Sequence, residues 1–163
     1  MEPYLAIASK RDERLYADTP IADDVRQRIL DGGRLSGSSK NRQRWEFVVV
    51  SGQARDRLSQ TVYAPENVRS AALVVAIVGE ARGFDAGRCA QNMMLAAWGD
   101  GVVSCPNGLQ DADSAAEICG GEVRAILSFG HPARPRDPAG RSAEEWSARA
   151  NRKPLSELVR EVD

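Results

Sequence analysis

Histidine is almost missing from this chain of 163 residues, which holds only His131. That scarcity excludes a metal centre built on several imidazoles and any mechanism that passes protons between two histidines. Cysteine is scarce as well. Cys89, Cys105 and Cys119 are odd in number and too widely spaced for a C-x-x-C pair, which fits reduced thiols in a cytoplasmic setting. No charge of one sign dominates: 22 Lys and Arg stand against 23 Asp and Glu, a formal net charge of −1. A nucleic-acid partner held by global electrostatics is therefore not expected, and any anion site must be local. Long apolar runs are also lacking. The longest, Ala71 to Gly79, is about half the ~18 residues a membrane-spanning helix needs, and nothing near Met1 resembles a charged-then-apolar leader, so a soluble chain with no membrane partner is expected. What is present is 42% hydrophobic composition, enough for one packed core in one domain.

Ile21, Val25 and Ile29 recur every four residues, which predicts an amphipathic helix from about Ile21 to Leu30 with Gly32-Gly33 as its stop. A polar stretch, Arg34 to Arg44, leads into Trp45–Val50, whose β-branched content predicts a strand. Gln53 to Val62 reads as a helix, and Pro65 separates it from Ala72–Val78, a continuous apolar run expected of a strand buried on both faces. Phe84 to Trp98 is apolar over most of a helical circumference and belongs in the centre of the domain. Val102–Cys105 is a short extended piece, Asp113–Cys119 a short helix stopped by Gly120-Gly121, and Val123–Phe129 a further strand. Three prolines in residues 131–141 mark a surface connection, the start of an arm over residues 131–163 in which Ser142 and Glu145 form a capping box. About four strands interspersed with helices predict α+β or α/β in one domain.

Several catalytic motifs fail on inspection. Gly33-Arg34-Leu35-Ser36-Gly37-Ser38-Ser39-Lys40 looks like a phosphate-binding loop, but its Lys follows the serines and a helix, not a strand, precedes it. Gly99-Asp100-Gly101 begins like a dinucleotide fingerprint, yet Ser104 takes the third glycine's place. His131 has no G-x-S-x-G partner for a hydrolase triad.

Three separated segments carry more information together. Ser36-Gly37-Ser38-Ser39-Lys40-Asn41-Arg42-Gln43-Arg44-Trp45 followed by Glu46-Phe47-Val48-Val49-Val50, Ala90-Gln91-Asn92-Met93-Met94-Leu95-Ala96-Ala97 followed by Ser104-Cys105-Pro106-Asn107-Gly108, and Ser128-Phe129-Gly130-His131-Pro132 with the tail Arg152-Lys153-Pro154-Leu155-Ser156-Glu157-Leu158-Val159 occur in that order. The set resembles the nitroreductase family of flavoenzymes over nearly the whole chain. The resemblance implies an α+β fold with a central, mainly antiparallel sheet flanked by helices, an intertwined homodimer, and FMN at each subunit interface. It also implies NADH or NADPH as reductant and a small-molecule acceptor such as a nitroaromatic or quinone, reduced in a ping-pong hydride-transfer cycle. A flavin brings the redox step itself, so the lack of a catalytic triad or metal cluster is expected.

On the same resemblance, Lys10, Arg11, Asp12 and Arg14 match the family's phosphate motif, with Arg152 as a tail contact; forked guanidinium hydrogen bonds suit a phosphate dianion. Ser38, Ser39 and Asn41 match positions that hydrogen-bond the ribityl chain and pyrimidine edge, or else serve turn chemistry. Val103, Ser104 and Cys105 match the extended piece along the flavin face, with the Ser104 hydroxyl or a neighbouring N–H as donor to N5 and Cys105 as a small apolar wall. Two positions depart from the family pattern. Asp12 replaces a serine and would repel a phosphate or else fix a neighbouring arginine, and Arg44 replaces the proline before Trp45. With Arg34, Lys40 and Arg42 it makes a basic loop, suited to anionic substrates or a phosphorylated nicotinamide, or simply solvated. The alternatives to a nitroreductase are a specialised relative of the dehalogenase or azoline oxidase type and a flavin-binding sensor or carrier without turnover.

Overall fold

Six consecutive residues of one strand, Leu73–Val78 (β2), are all buried, as a Val- and Ile-rich run with no polar alternation requires. In the computed structural model, which describes residues 1–162, β2 pairs antiparallel with β1 (Glu46–Val49) on one side and with β4 (Val123–Gly130) on the other. The far side of β4 pairs antiparallel with β3 (Val103–Asn107), giving the order β1-β2-β4-β3. The sheet is antiparallel throughout and the fold is α+β.

Alternation along the strands splits the core into two layers. Leu73, Val75, Ile77, Leu127 and Phe129 face α2 (Asp23–Arg34) and α5 (Gly83–Gly99), meeting Ile29, Met93 and Ala97. Val74, Ala76, Val78 and Ile126 face the other way. There they meet Leu58 of α3 (Gly52–Ser59), Val68 of α4 (Pro65–Arg69) and Ala115 of α6 (Ala112–Cys119).

Two expectations need correction. Gly32-Gly33 does not stop α2, which continues to Arg34. A Cβ on Gly33 would collide with the Met93 side chain, and one on Gly32 would lie 3.1 Å from the Asn92 carbonyl and 3.2 Å from the Ala96 Cβ. These glycines let α2 approach α5 closely, which offsets a helix-propensity cost of about 1 kcal/mol each. Nor is Pro65 only a separator: it occupies the first turn of α4, where its missing N–H costs nothing.

The chain divides into two compact units, Arg11–Arg136 and a second in which Met1–Lys10 joins the chain from Asp137 onward. The second contains a helix that sequence periodicity did not announce, α1 (Pro3–Ser9), whose N-terminus is capped by the Glu2 carboxylate accepting from the Tyr4 and Leu5 N–H groups at 2.8 Å. It packs against α7 (Ala143–Arg149), which opens with the expected Ser142–Glu145 capping box. Trp146 is fixed there by its Nε1–H donating to the Pro138 carbonyl at 2.9 Å and by the Arg141 guanidinium 5.0 Å from its ring centroid. Among the described residues, no helix is long and apolar enough to cross a membrane.

Candidate functional site

β3 is an edge strand, and edges need covering. A strap formed by residues 11–16 covers it: Asp12 bridges to Ser104 in parallel fashion and the Glu13 N–H donates to the Ser104 carbonyl at 3.0 Å. The strap is pinned further on by Glu13, whose carboxylate accepts from Arg136 at 2.6 Å, and by Tyr16, which bridges to Pro132. Gly130 is a glycine because a Cβ there would lie 2.8 Å from the Tyr16 ring. Arg11, Asp12 and Arg14 are thus brought to the same stretch of backbone as Val103, Ser104 and Cys105.

Ser104 is 0% exposed, yet its Oγ has no hydrogen-bond partner among the described residues. A buried hydroxyl left unmade costs about 1–3 kcal/mol, so this atom stands out. Its neighbour Cys105 is buried, with its Sγ directed at the Pro106 carbonyl 3.2 Å away, as a wall residue would be. Behind β3 lies a polar knot. The Asn107 amide donates to Ser128 Oγ at 3.1 Å, and Tyr16 OH is 2.9 Å from the same oxygen. Burial pushes the Tyr16 phenol up to about 12, against a smaller lowering by the Ser128 hydrogen bond.

The second element is the loop between α2 and β1. Ser38 Oγ accepts from the Gln43 N–H at 2.9 Å, the Asn41 N–H donates to the Ser38 carbonyl at 2.9 Å, and the Ser39 N–H points at Asp85 of α5, 3.5 Å away. The turn chemistry expected of Ser38 is therefore present, and its hydroxyl proton is not consumed by it. Lys40, Asn41 and Gln43 all have positive φ, at 53°, 53° and 48°. Left-handed backbone is tolerated by Asn but costs a Lys or Gln about 1 kcal/mol, and such strain gathers at functional sites. Sequence reasoning missed this feature, because neither Lys nor Gln announces it.

It also gave no role to Asn92. The Asn92 Nδ2 donates to the buried Ser36 Oγ at 2.8 Å and so ties the loop's first turn to the central helix. No signal in the sequence separates Asn92 from Gln91 beside it, since both are exposed amides on α5. The basic character of the loop is partly neutralised: Arg34 pairs with Asp31, and Arg44 with Glu80 at 3.3 Å. Arg42 and Arg82 line a small cavity of about 60 Å³ with Ser38, Ser39, Trp45 and Asp85, large enough for water but not for a substrate.

Lys10 and Arg152 belong to the other compact unit, where Lys10 caps the C-terminus of α1 and Arg152 lies on the exposed tail. Among the described residues no His, Cys, Asp and Glu are grouped to hold a metal ion. The first unit offers cationic side chains, short hydroxyls and an amide, a donor set chemically suited to an anionic, hydrogen-bonding group.

The sequence profile of the nitroreductase family matches residues 7–82. A nitrobenzene nitroreductase of Ectopseudomonas oleovorans is 34% identical over 65 residues, 40% of this chain and 28% of that protein. The chain thus spans under a third of the curated relatives it matches. Among solved structures, a nitroreductase-type protein of Desulfovibrio desulfuricans in complex with FMN superposes with a TM-score of 0.80 at 25% identity, covering 100% of this chain and 98% of the other. An NADPH:FMN oxidoreductase of Vibrio harveyi complexed with NAD+ gives 0.74 at 26% identity, covering 83% of this chain and 73% of the other.

Proposed function

We propose that this chain is an FMN-dependent oxidoreductase of the nitroreductase family that takes reducing equivalents from NADH or NADPH and passes them to a nitroaromatic, quinone or related small acceptor. The reading is supported by the relatives' named activities, a nitrobenzene nitroreductase and an NADPH:FMN oxidoreductase. One observation in this chain carries it: the unpartnered Ser104 hydroxyl on a strand held against a strap that bears Arg11 and Arg14.

The residues fit the flavin mononucleotide. Its phosphate needs cationic donors, for which Arg11 and Arg14 are the strap's candidates; Asp12, in the midst of them, acts by orienting an arginine rather than by touching the phosphate. Its polyhydroxyl chain and pyrimidine edge need short donors and acceptors, for which Ser38, Ser39 and Asn41 are held in a strained, preorganised loop. When bound, FMN supplies the hydride chemistry. The chain's part is to bind and orient. Ser104, whose proton is free to turn about a single bond, would be the donor that β3 supplies to the cofactor, and Val103 and Cys105 would give a dry backing that excludes water. For Lys10 and Arg152 the support is the sequence resemblance alone.

A homodimer belongs to the same proposal. The tail carries Leu155, Leu158, Val159 and Val162 at 58–77% exposure, an apolar stripe that a second copy would cover. The three buried cysteines, none of them disulfide-bonded, fit the reducing cytoplasm. The test is reconstitution: purified protein should carry or take up one FMN per chain, whereas a colourless protein that FMN cannot reconstitute removes the proposal.

A further inference from the structure

The small cavity beside the α2–β1 loop, of about 60 Å³, is lined by three arginines, Arg42, Arg44 and Arg82, with Glu80 and Asp85. It holds about four or five water-sized atoms, the size of one phosphoryl group rather than of a whole ligand. A second cleft of about 350 Å³ adjoins it, and the two have Gln43, Arg44, Trp45 and Glu80 in common. This larger volume falls in the range of small-molecule sites. Gly79, Gly120 and Gly121 line the cleft as well and leave part of its wall free of side chains.

The charges around the small cavity do not cancel. Glu80 is taken up by Arg44, whose Nη1 donates to it at 3.3 Å. Asp85 faces the backbone N–H of Ser39 at 3.5 Å. Arg42 and Arg82 are exposed, and neither guanidinium has a hydrogen-bond or ion-pair partner among the described residues. Both are therefore reachable by a ligand and free to turn toward it. Arg42 also stands between Asn41 and Gln43, both with positive φ, so a strained backbone fixes where this arginine leaves the loop. Two forked donors beside a cavity of this size suit a phosphate monoester, which brings close to two charges and three terminal oxygens, better than a carboxylate with its single charge. Trp45 gives the adjoining cleft an aromatic residue of the kind on which a purine stacks.

We infer that the cavity and the cleft together take the adenosine 2′-phosphate end of NADPH, so that this chain prefers NADPH to NADH. The inference rests on the oxidoreductase reading for the remainder of the nicotinamide cofactor. Ser38 and Ser39, which that reading gives to the flavin, border the same cavity. NADH lacks the 2′-phosphate and leaves Arg42 and Arg82 without an anion.

The test is calorimetric titration of the purified protein with 2′-AMP and with adenosine, at low and matched ionic strength. The expected result is that 2′-AMP binds about tenfold more tightly than adenosine, or better. Arg42→Gln and Arg82→Gln should each weaken 2′-AMP about three- to tenfold and leave adenosine binding as it is. Glu80→Gln releases Arg44 and removes a negative charge, and should tighten 2′-AMP instead. All three side chains are exposed, so the fold does not depend on them. In the FMN-loaded protein the ratio of kcat/KM for NADPH to that for NADH should exceed one and fall in both arginine variants. Equal binding of 2′-AMP and adenosine, 2′-AMP binding that neither arginine variant weakens, or a ratio of one or below would overturn the inference. A failure of FMN uptake overturns the oxidoreductase reading and is seen separately, because the 2′-AMP titration reads the cavity without a flavin.

Discussion

The Glu13 N–H donates to the Ser104 carbonyl at 3.0 Å, joining the N-terminal strap to the edge of the sheet at the one strand residue whose own hydroxyl is buried without a partner. The backbone at this point is satisfied while the side chain is not. Among the described residues the other buried serines, Ser9, Ser36, Ser59 and Ser128, are all paired, and Ser104 is the exception.

A first prediction follows for Ser104→Ala. Removing an unsatisfied hydroxyl costs the protein without cofactor nothing, so its stability should be unchanged or higher by up to about 1 kcal/mol in chemical denaturation. In the FMN-loaded protein the same variant should shift the reduction potential. A loss of stability without a change in potential would mean that Ser104 has a purely structural role.

Gly33→Ala should destabilise by about 2 kcal/mol, because the added methyl meets Met93 and lies 2.8 Å from Phe47 at the α2–α5 contact. Denaturant midpoints measure this, and Gly99→Ala, with open space around its Cβ, is the control that should not destabilise.

Asn92→Ala should cost about 1–2 kcal/mol by leaving Ser36 without its donor. The effect should spread into the loop from Ser36 to Gln43, where hydrogen exchange would quicken, and FMN affinity should fall with it.

Tyr16 makes stability sensitive to alkali. Its phenol is raised from 10.0 to about 12 in the folded protein because burial disfavours the phenolate. A raised value means that its stabilising contribution is whole below pH 10.0 and is lost as pH rises from there through about 12. Tyr16→Phe should be less stable at neutral pH, having lost the bond to Ser128, and should show a shallower decline over that alkaline range.

Much of this was legible in the residues. β2 is recognisable because an unbroken apolar run has no other stable place than the centre of a core, whereas α5, expected to be central, buries one face and leaves Phe84, Arg88, Gln91 and Asn92 exposed. What was not legible depends on partners distant in sequence. Gly32-Gly33 reads locally as a stop, and only the approach of Met93 and Asn92 turns it into a helix contact. α1 has seven residues and none of the four-residue periodicity that a longer amphipathic helix shows. At the site, the resemblance picked out Ser104 and the arginines near it. The unpartnered state of its hydroxyl and the left-handed backbone of Lys40 and Gln43 appear only when neighbours and dihedrals are known.

The proposed function requires that this chain bind FMN and turn it over with a nicotinamide. Anaerobic titration of the FMN-loaded protein with NADH and with NADPH, followed by a nitroaromatic or a quinone, tests it most directly. The flavin absorbance should bleach with at least one nicotinamide and return with the acceptor; a bound flavin that neither nicotinamide reduces would rule out the proposed oxidoreductase.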